Sequence, residues 1–525
     1  MENLESYIAG EWIAGQGRPQ NLVNPTTEEP IAQTSTEGLN FQRAIEFART
    51  EGGSALRAMS YAERGDLLRA MSRAIHAHRD ELIEVAIKNG GNTRGDAKFD
   101  IDGASGTLAY YAELSKELGN NRFLIDGDGI QLGRSPRFFG QHIFTPRAGV
   151  AVHINAFNFP AWGLGEKAAC ALLAGMPVIT KPATSTALLA YRIAKIVAPL
   201  VPRGAFSFVA GAPGDLLTHL GGADVIAFTG SSDTGATIRL MPNVAKGSVR
   251  VNIEADSLNA AVLGPDATPG SETYSMFLRD VVRDITQKAG QKCTAIRRIL
   301  APANVLDQVR DDLVDRLRDA KVGDPALDTV AVGPLATATQ LRDVRAGIEK
   351  LAAEAKIALG EGPFERLGVE GEKGFFVPPT LLVCSDPDKA RAVHEHEVFG
   401  PAATLLPYPE AAPSAAAIVN RGGGGLVCSV YSDDRGFTAD VLLGIAPFHG
   451  RVMLGSEKIA DQAPGPGTVL PHLVHGGPGR AGGGEELGGP RGLLFYSQRT
   501  AIQGSRPILE AILGSKKPQT PAAQS

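Results

Sequence analysis

Apolar positions along the chain change their period several times, and each change marks a different kind of element. Over residues 40–118 they recur three and four apart, as one face of a helix requires. Leu67, Leu68, Met71, Ala74 and Ile75 follow Ser60, which forms a capping-box signature with Glu63. A second amphipathic run through Leu82, Ile83, Val85 and Ala86 stops at Gly90 and Gly91, a C-cap signal. This region is predicted to be mostly helical. From 122 to 156 the pattern shortens to β-like runs (FLIDGDGIQL, FFGQHIFT, GVAVHINA) punctuated by Gly and Pro.

Residues 149–255 alternate short apolar runs with amphipathic stretches. The spacing predicts strands at GVAVHINA, MPVITKP, 205–210, 224–229 and 249–254, and helices over 162–174, 187–200 and 234–240. That alternation is the sequence form of βαβ units around a parallel sheet, so the fold class is α/β. Ligands on such a sheet sit beyond the carboxyl ends of its strands. Here those ends are 155–158, 180–184, 229–235 and 254–257, all rich in polar and small residues. Residues 271–365 predict a second α/β domain. After 421 the runs RGGGG and HGGPGRAGGGEELGG read as too glycine-dense for regular structure. FYSQRTAIQ reads as an edge strand and GSKKPQTPAAQS as a solvated tail.

Composition narrows the function. The 525 residues carry 52 Lys and Arg against 57 Asp and Glu, a net charge of −5, without basic blocks. Nucleic acid is therefore not an expected partner, because a clustered positive footprint dominates such affinity. Four cysteines, none in a CxxC pair, exclude a disulfide scaffold and a zinc ribbon. The N-terminus MENLESYIAGEWIAG lacks an apolar signal core. The longest apolar stretch, 168–180, contains Gly175 and Pro177 and falls short of the ~20 residues of a membrane span. A soluble, cytoplasmic protein with no membrane partner is expected, with roughly two to four domains.

Cys293 stands in AGQKCTAIRR, after a helix predicted over 280–288 and between Lys292 and the pair Arg297, Arg298. Cationic neighbours favour a thiolate, so this cysteine is a candidate nucleophile, with a buried packing role as the alternative. Cys170, Cys384 and Cys428 read as packing residues. Glu254 closes the run VRVNIE, where an apolar setting that raises its pKa suits a general base. In FTGSSDTG, Gly230 and Gly235 flank Ser231 between a strand and a helix, a place where backbone N–H groups face a pyrophosphate. Lys181 in ITKPAT could bind ribose hydroxyls or phosphate. His394-Glu395-His396 has no third ligand and reads as a surface loop, so no metal is expected.

Taken in order, NAFNFPAW (155–162), ITKPA (179–183), FTGSSDTG (228–235), Glu254, GQKC (290–293), HEVFGP (396–401) and EELGG (485–489) resemble the motifs of the aldehyde dehydrogenase superfamily. The likeness covers nearly the whole chain. EADSLNAAVLGPD, AGQKCTAIRRI, GPGRAGGGEELGG and QRTAIQG resemble more narrowly the dehydrogenases that oxidise CoA-linked semialdehydes after aromatic-ring cleavage, benzoate degradation among them. With 525 residues there is no room for the hydratase domain of the bifunctional members, which favours a stand-alone enzyme.

The resemblance implies an aldehyde dehydrogenase-like fold: a Rossmann-type parallel-sheet cofactor domain, an α/β catalytic domain and a small β oligomerisation element. Its divisions would be 1–122 with 147–255 for NADP, 256–480 for catalysis, 123–146 with 490–508 for a homodimer contact, and 514–525 as a flexible tail. It implies that Cys293 attacks the aldehyde, Asn158 stabilises the oxyanion, Glu254 activates water, and Lys167 and Glu486 relay the proton. Lys181, Thr184, Ser185, Gly230, Ser231, Gly235, Glu397 and Phe399 would hold the nicotinamide cofactor, and Phe159, Trp162 and His475 would line the substrate pocket. Three departures stand out. Ala255-Asp256-Ser257 replaces a small residue and two glycines after the glutamate. Thr184 stands where NAD-preferring members carry a carboxylate, so NADP is expected over NAD. His475 occupies a position that is often aromatic. A CoA-acylating or general aldehyde dehydrogenase and a cysteine thioesterase or esterase on the same scaffold are the competing readings.

Overall fold

The computed structural model describes residues 1–514; the expected tail beyond Gly514 lies outside them. Two seven-stranded sheets dominate. In the first, strands Arg250–Glu254, Val225–Thr229, Ala151–Ile154, Val178–Lys181 and Phe206–Phe208 run parallel in that spatial order. Their near-continuous burial is what parallel strands covered on both faces demand. The antiparallel strands Ser6–Ile8 and Glu11–Ile13 finish one edge. The chain steps outward from Ala151–Ile154 through two strands, then crosses back to place Val225–Thr229 on its other side. That reversal is a topological switch point, which opens a crevice beyond the strand ends.

Helix Trp162–Ala174 leaves this crevice as predicted. Its first N–H groups are capped from another element: Asp100, on helix Arg94–Leu118, accepts from Ala161 N at 3.3 Å and Trp162 N at 2.8 Å. A carboxylate at a helix N-terminus complements the macrodipole. The predicted capping box at Ser60 and the left-handed cap at Gly91 (φ 67°) both form.

In the second sheet, Thr380–Val383, Ala402–Tyr408, Arg298–Pro302, Ala260–Leu263, Gly425–Tyr431 and His449–Gly455 are parallel, and Lys356–Leu359 is antiparallel at the edge. This corrects the expectation of irregular chain after 421. That region holds two of these strands, helix Arg435–Ile445 and the hairpin Val474–Gly476 with Glu485–Leu487. Its glycines mark close backbone approaches rather than missing structure. At Gly476 (φ 146°) a Cβ would sit 2.0 Å from the Gly484 carbonyl oxygen.

The helix before the nucleophile segment also differs from expectation, running Glu272–Thr286 with Ser271 as N-cap. A three-stranded antiparallel sheet carries Leu124–Gln131, Phe138–Pro146 and, as the expected edge strand, Ser497–Ser505. Among the described residues no helix is long and apolar enough to cross a membrane.

Candidate active site

Cys293 lies where two spaces meet. On one side is a narrow cavity of about 40 Å³ lined by Phe99, Phe159, Trp162, Val469 and His475. On the other is a cleft along the switch point, lined by Lys181, Gly230, Ser231, Glu397 and Phe399. Asn158, Thr229, Glu254 and Cys293 border both. Phe99, Phe159 and Trp162 meet edge-on with ring centroids 5.1–6.1 Å apart, giving the cavity an apolar wall.

The segment leading to Cys293 is strained. Lys288 (φ 54°) and Ala289 (φ 50°) are left-handed non-glycine residues, followed by Gly290 at φ 67°. Such backbone persists only where its surroundings over-determine it. Lys288 supplies much of that: buried, it donates to Asn92 Oδ1 at 2.9 Å and packs 4.5 Å over the Phe159 ring.

The cations flanking Cys293 do not activate it, contrary to expectation. Lys292 pairs with Asp284 at 2.5 Å, Arg297 serves Glu397 and the carbonyls of Gly400, Gly290 and Lys292, and Arg298 serves those of Leu258, Ile418 and Val419. Burial and the negative charges of Glu254, Glu166 and Glu397 push the Cys293 thiol well above its usual range. It rests as a thiol and needs a base.

That base is at hand. One donor atom each from Glu254, Cys293 and His475 lies within 4.8 Å of the others. Glu254 is 3% exposed, and its Oε1 sits 3.3 Å from His475 Nε2. Burial alone would raise its pKa, as the sequence suggested. Instead the His475 imidazole, with Lys167 behind it, outweighs burial and holds the carboxyl at about 2. His475 moves the other way: burial opposes its charge, but Glu254 lifts its pKa above the usual 6.5.

Behind Glu254, Lys167 Nζ lies 3.1 Å from Glu486 Oε2 and 3.3 Å from Glu166 Oε1. Burial lifts Glu166 to about 7. Glu166 was missed in the sequence, although an adjacent Glu-Lys pair in the otherwise apolar WGLGEKAACALLA was a usable signal. Asn158 Nδ2 donates to Gln291 O at 3.0 Å, beside the nucleophile.

In the cleft, Lys181 is 9% exposed, and among the described residues its ammonium has no hydrogen-bond or ion-pair partner; burial lowers it to about 8. Ser231 caps helix Ser232–Leu240, accepting from Thr234 N at 3.3 Å. Glu397 accepts from Ser257 N at 3.1 Å, and burial lifts it to about 7 against the pull of Arg297. Phe399 stands edge-on to Phe157 at 5.8 Å. Thr184 and Ser185 lie in the short turn Thr184–Thr186 and Gly235 packs against Ile253, so these three do not line the cleft.

His394 is not on a surface loop. It is 3% exposed, with Nε2 3.0 Å from Pro387 O and Nδ1 3.2 Å from Arg298, and burial lowers it to about 4. It is a packing residue, while His396 borders the cleft.

Residues 12–502 match the aldehyde dehydrogenase family. The chain is 48% identical over 478 residues to the 3,4-dehydroadipyl-CoA semialdehyde dehydrogenase of Aromatoleum evansii, spanning 90% of this chain and 93% of that one. Its fold is similar to that of betaine aldehyde dehydrogenase from Staphylococcus aureus in complex with NAD+, with TM-score 0.82, 24% identity and 95% of both chains covered. It is also similar to 3,6-anhydro-L-galactose dehydrogenase in complex with NADP, with TM-score 0.83, 22% identity, and 96% of this chain and 100% of that one covered.

Proposed function

Since the chain belongs to the aldehyde dehydrogenase family, we propose that it oxidises a CoA-linked semialdehyde, best 3,4-dehydroadipyl-CoA semialdehyde, to the carboxylic acid with NADP+, as a step of benzoate degradation. The observation that carries this reading is the convergence of Cys293, Glu254 and His475 where an aromatic-walled cavity meets a cleft holding an unpaired buried lysine. The narrow apolar cavity suits a linear acyl chain, and the 48% identical relative points to the CoA-linked substrate.

In this mechanism Glu254 takes the Cys293 proton as the sulfur bonds to the aldehyde carbon, giving a thiohemiacetal. Asn158 Nδ2 and the Cys293 N–H hold the oxyanion, the amide giving up its contact with Gln291. NADP+ supplies the hydride acceptor. Lys181 would meet its 2′-phosphate, the turn at Gly230 and Ser231 its pyrophosphate, Glu397 its ribose and Phe399 its ring. The preference for NADP+ rests on Lys181, a buried cation without a counter-charge, and on the absence of a carboxylate at 184. Lys167, Glu166 and Glu486 carry the Cys293 proton outward, which frees Glu254 to take a proton from the water that attacks the Cys293 thioester. A CoA-acylating enzyme needs no such base. The unpaired edge of Ser497–Ser505 would pair in a homodimer.

The test is reduction of NADP+ and NAD+ with CoA-linked and free aldehydes, with and without added CoA. Reduction confined to CoA-linked semialdehydes, at lower KM for NADP+ and without free CoA, and abolished by Cys293→Ala, is the expected result. A lower KM for NAD+ sinks the cofactor assignment, equal efficiency on simple aldehydes sinks the substrate, and dependence on free CoA sinks the hydrolytic step.

A further inference from the structure

We propose that His475 is a positioning residue for Glu254, holding its carboxylate against Cys293 and sharing its proton, so that a carboxylate–imidazole dyad is the base of thioester hydrolysis. The inference deepens the proposed mechanism and rests on its hydrolytic step.

Three observations carry it. His475 is 3% exposed and Glu254 3%, and their facing atoms lie 3.3 Å apart, too close to admit a water between them. Among the described residues Glu254 is the ring's ion-pair partner, and neither His475 Nδ1 nor Glu254 Oε1 is taken up by a hydrogen bond to another group. The imidazole is thus not committed to backbone, as a packing histidine such as His394 is. His475 also borders the substrate cavity with Cys293, so the dyad faces the acyl carbon.

The proton accounting follows. Water attacks the thioester carbonyl, forming a C–O bond, and its proton passes to Glu254 and on to His475 Nε2. Collapse of the tetrahedral intermediate breaks the C–S bond, releases the acid, and returns the proton from the dyad to the Cys293 sulfur. No other reactant is consumed. The dyad works as a base only when His475 is neutral, because the imidazolium pins Glu254 as a weakly basic carboxylate.

Hydrolysis should therefore rise with pH through the titration of the pair, whose apparent value belongs to both groups. Every charged neighbour bears on it: Cys293 on its loop, Glu166 and Lys167 on helix Trp162–Ala174, Glu486 across the hairpin and Arg451 on strand His449–Gly455. Burial opposes the His475 charge, Glu254 outweighs it, and the rising limb lies above 6.5.

The test uses p-nitrophenyl acetate, which acylates a reactive thiol without cofactor or CoA substrate, so it reads the dyad even if the substrate assignment fails. Wild type, His475→Gln and His475→Phe are compared for the p-nitrophenol burst, which reports acylation, and the later steady rate, which reports hydrolysis of acyl-Cys293. Both variants should keep a burst of about one per site while hydrolysis falls about 10- to 100-fold, and the limb above neutrality should vanish. Wild-type hydrolysis in His475→Gln overturns proton sharing, since glutamine can hold Glu254 but cannot take its proton. Parallel loss of burst and hydrolysis, or an unchanged pH limb, overturns the proposal as a whole.

Discussion

Lys181→Met tests the electrostatics of the cleft directly. Lys181 is 9% exposed and, among the described residues, without a counter-charge, and its pKa falls from 10.5 to about 8. That depression corresponds to about 3 kcal/mol of unfavourable charge burial in the folded protein. The sign is fixed by linkage. Below about 8 both folded and unfolded chains hold the proton, so the folded state bears the whole penalty. Between about 8 and 10.5 the folded lysine loses its proton first, and the penalty fades.

Methionine keeps the aliphatic stem and removes the charge. The variant without cofactor should therefore gain up to about 3 kcal/mol near pH 7, roughly 3 °C in thermal midpoint, and the gain should vanish above about pH 10. The same change should raise the KM for NADP+ by about 10- to 100-fold, because a hydrogen bond to a charged group contributes about 1.5–3 kcal/mol. Differential scanning calorimetry at the two pH values, with initial rates against NADP+ concentration, measures both. A variant no more stable than wild type near pH 7, or an unchanged KM, refutes the reasoning.

Lys292→Met should cost about 3–5 kcal/mol in urea unfolding, because it strands Asp284 as a buried, uncompensated charge. Adding Asp284→Leu should recover much of that loss, which an intrinsic need for the lysine would not allow. Ser60→Ala removes the side-chain half of the capping box, leaving the Ser60 N–H to donate to Glu63, and should cost about 1 kcal/mol in the same assay, with turnover unchanged because the helix end lies away from the cleft.

Elements whose cause is local were legible in the sequence. Ser60 with Glu63, the left-handed Gly91 and the helix Trp162–Ala174 each answer to residues within a turn or two, and the parallel strands to runs of apolar residues. Strands of three residues, such as Ser6–Ile8 and Glu11–Ile13, are too short to show a period and exist because the edge of Phe206–Phe208 was open to them. The same divide runs through the site. The motif residues converge, but sequence proximity misassigned the charges: Arg297 and Arg298 adjoin Cys293 in the chain yet point into backbone carbonyls. The groups that set its chemistry, Glu166 and His475, arrive from elsewhere in the fold.

The replacement of the glycine pair after Glu254 shows how such a departure is absorbed. Neither Asp256 nor Ser257 has positive φ, so their Cβ atoms meet no backbone penalty. The side chains instead fasten the loop on both sides. Asp256 accepts from Ser232 N at 3.2 Å and Ser232 Oγ at 2.6 Å, closing the helix start that faces the cleft. Ser257 N donates to Glu397 at 3.1 Å, and its hydroxyl donates to Asn259 Oδ1 at 2.6 Å while accepting from Leu426 N at 2.9 Å. Asn259 in turn donates to the carbonyl of Cys293 at 2.8 Å. One run of polar residues therefore links the strand that carries the base to the loop that carries the nucleophile. The separation of Glu254 from Cys293 is set by side-chain hydrogen bonds at a place where glycines would leave it to backbone conformation alone.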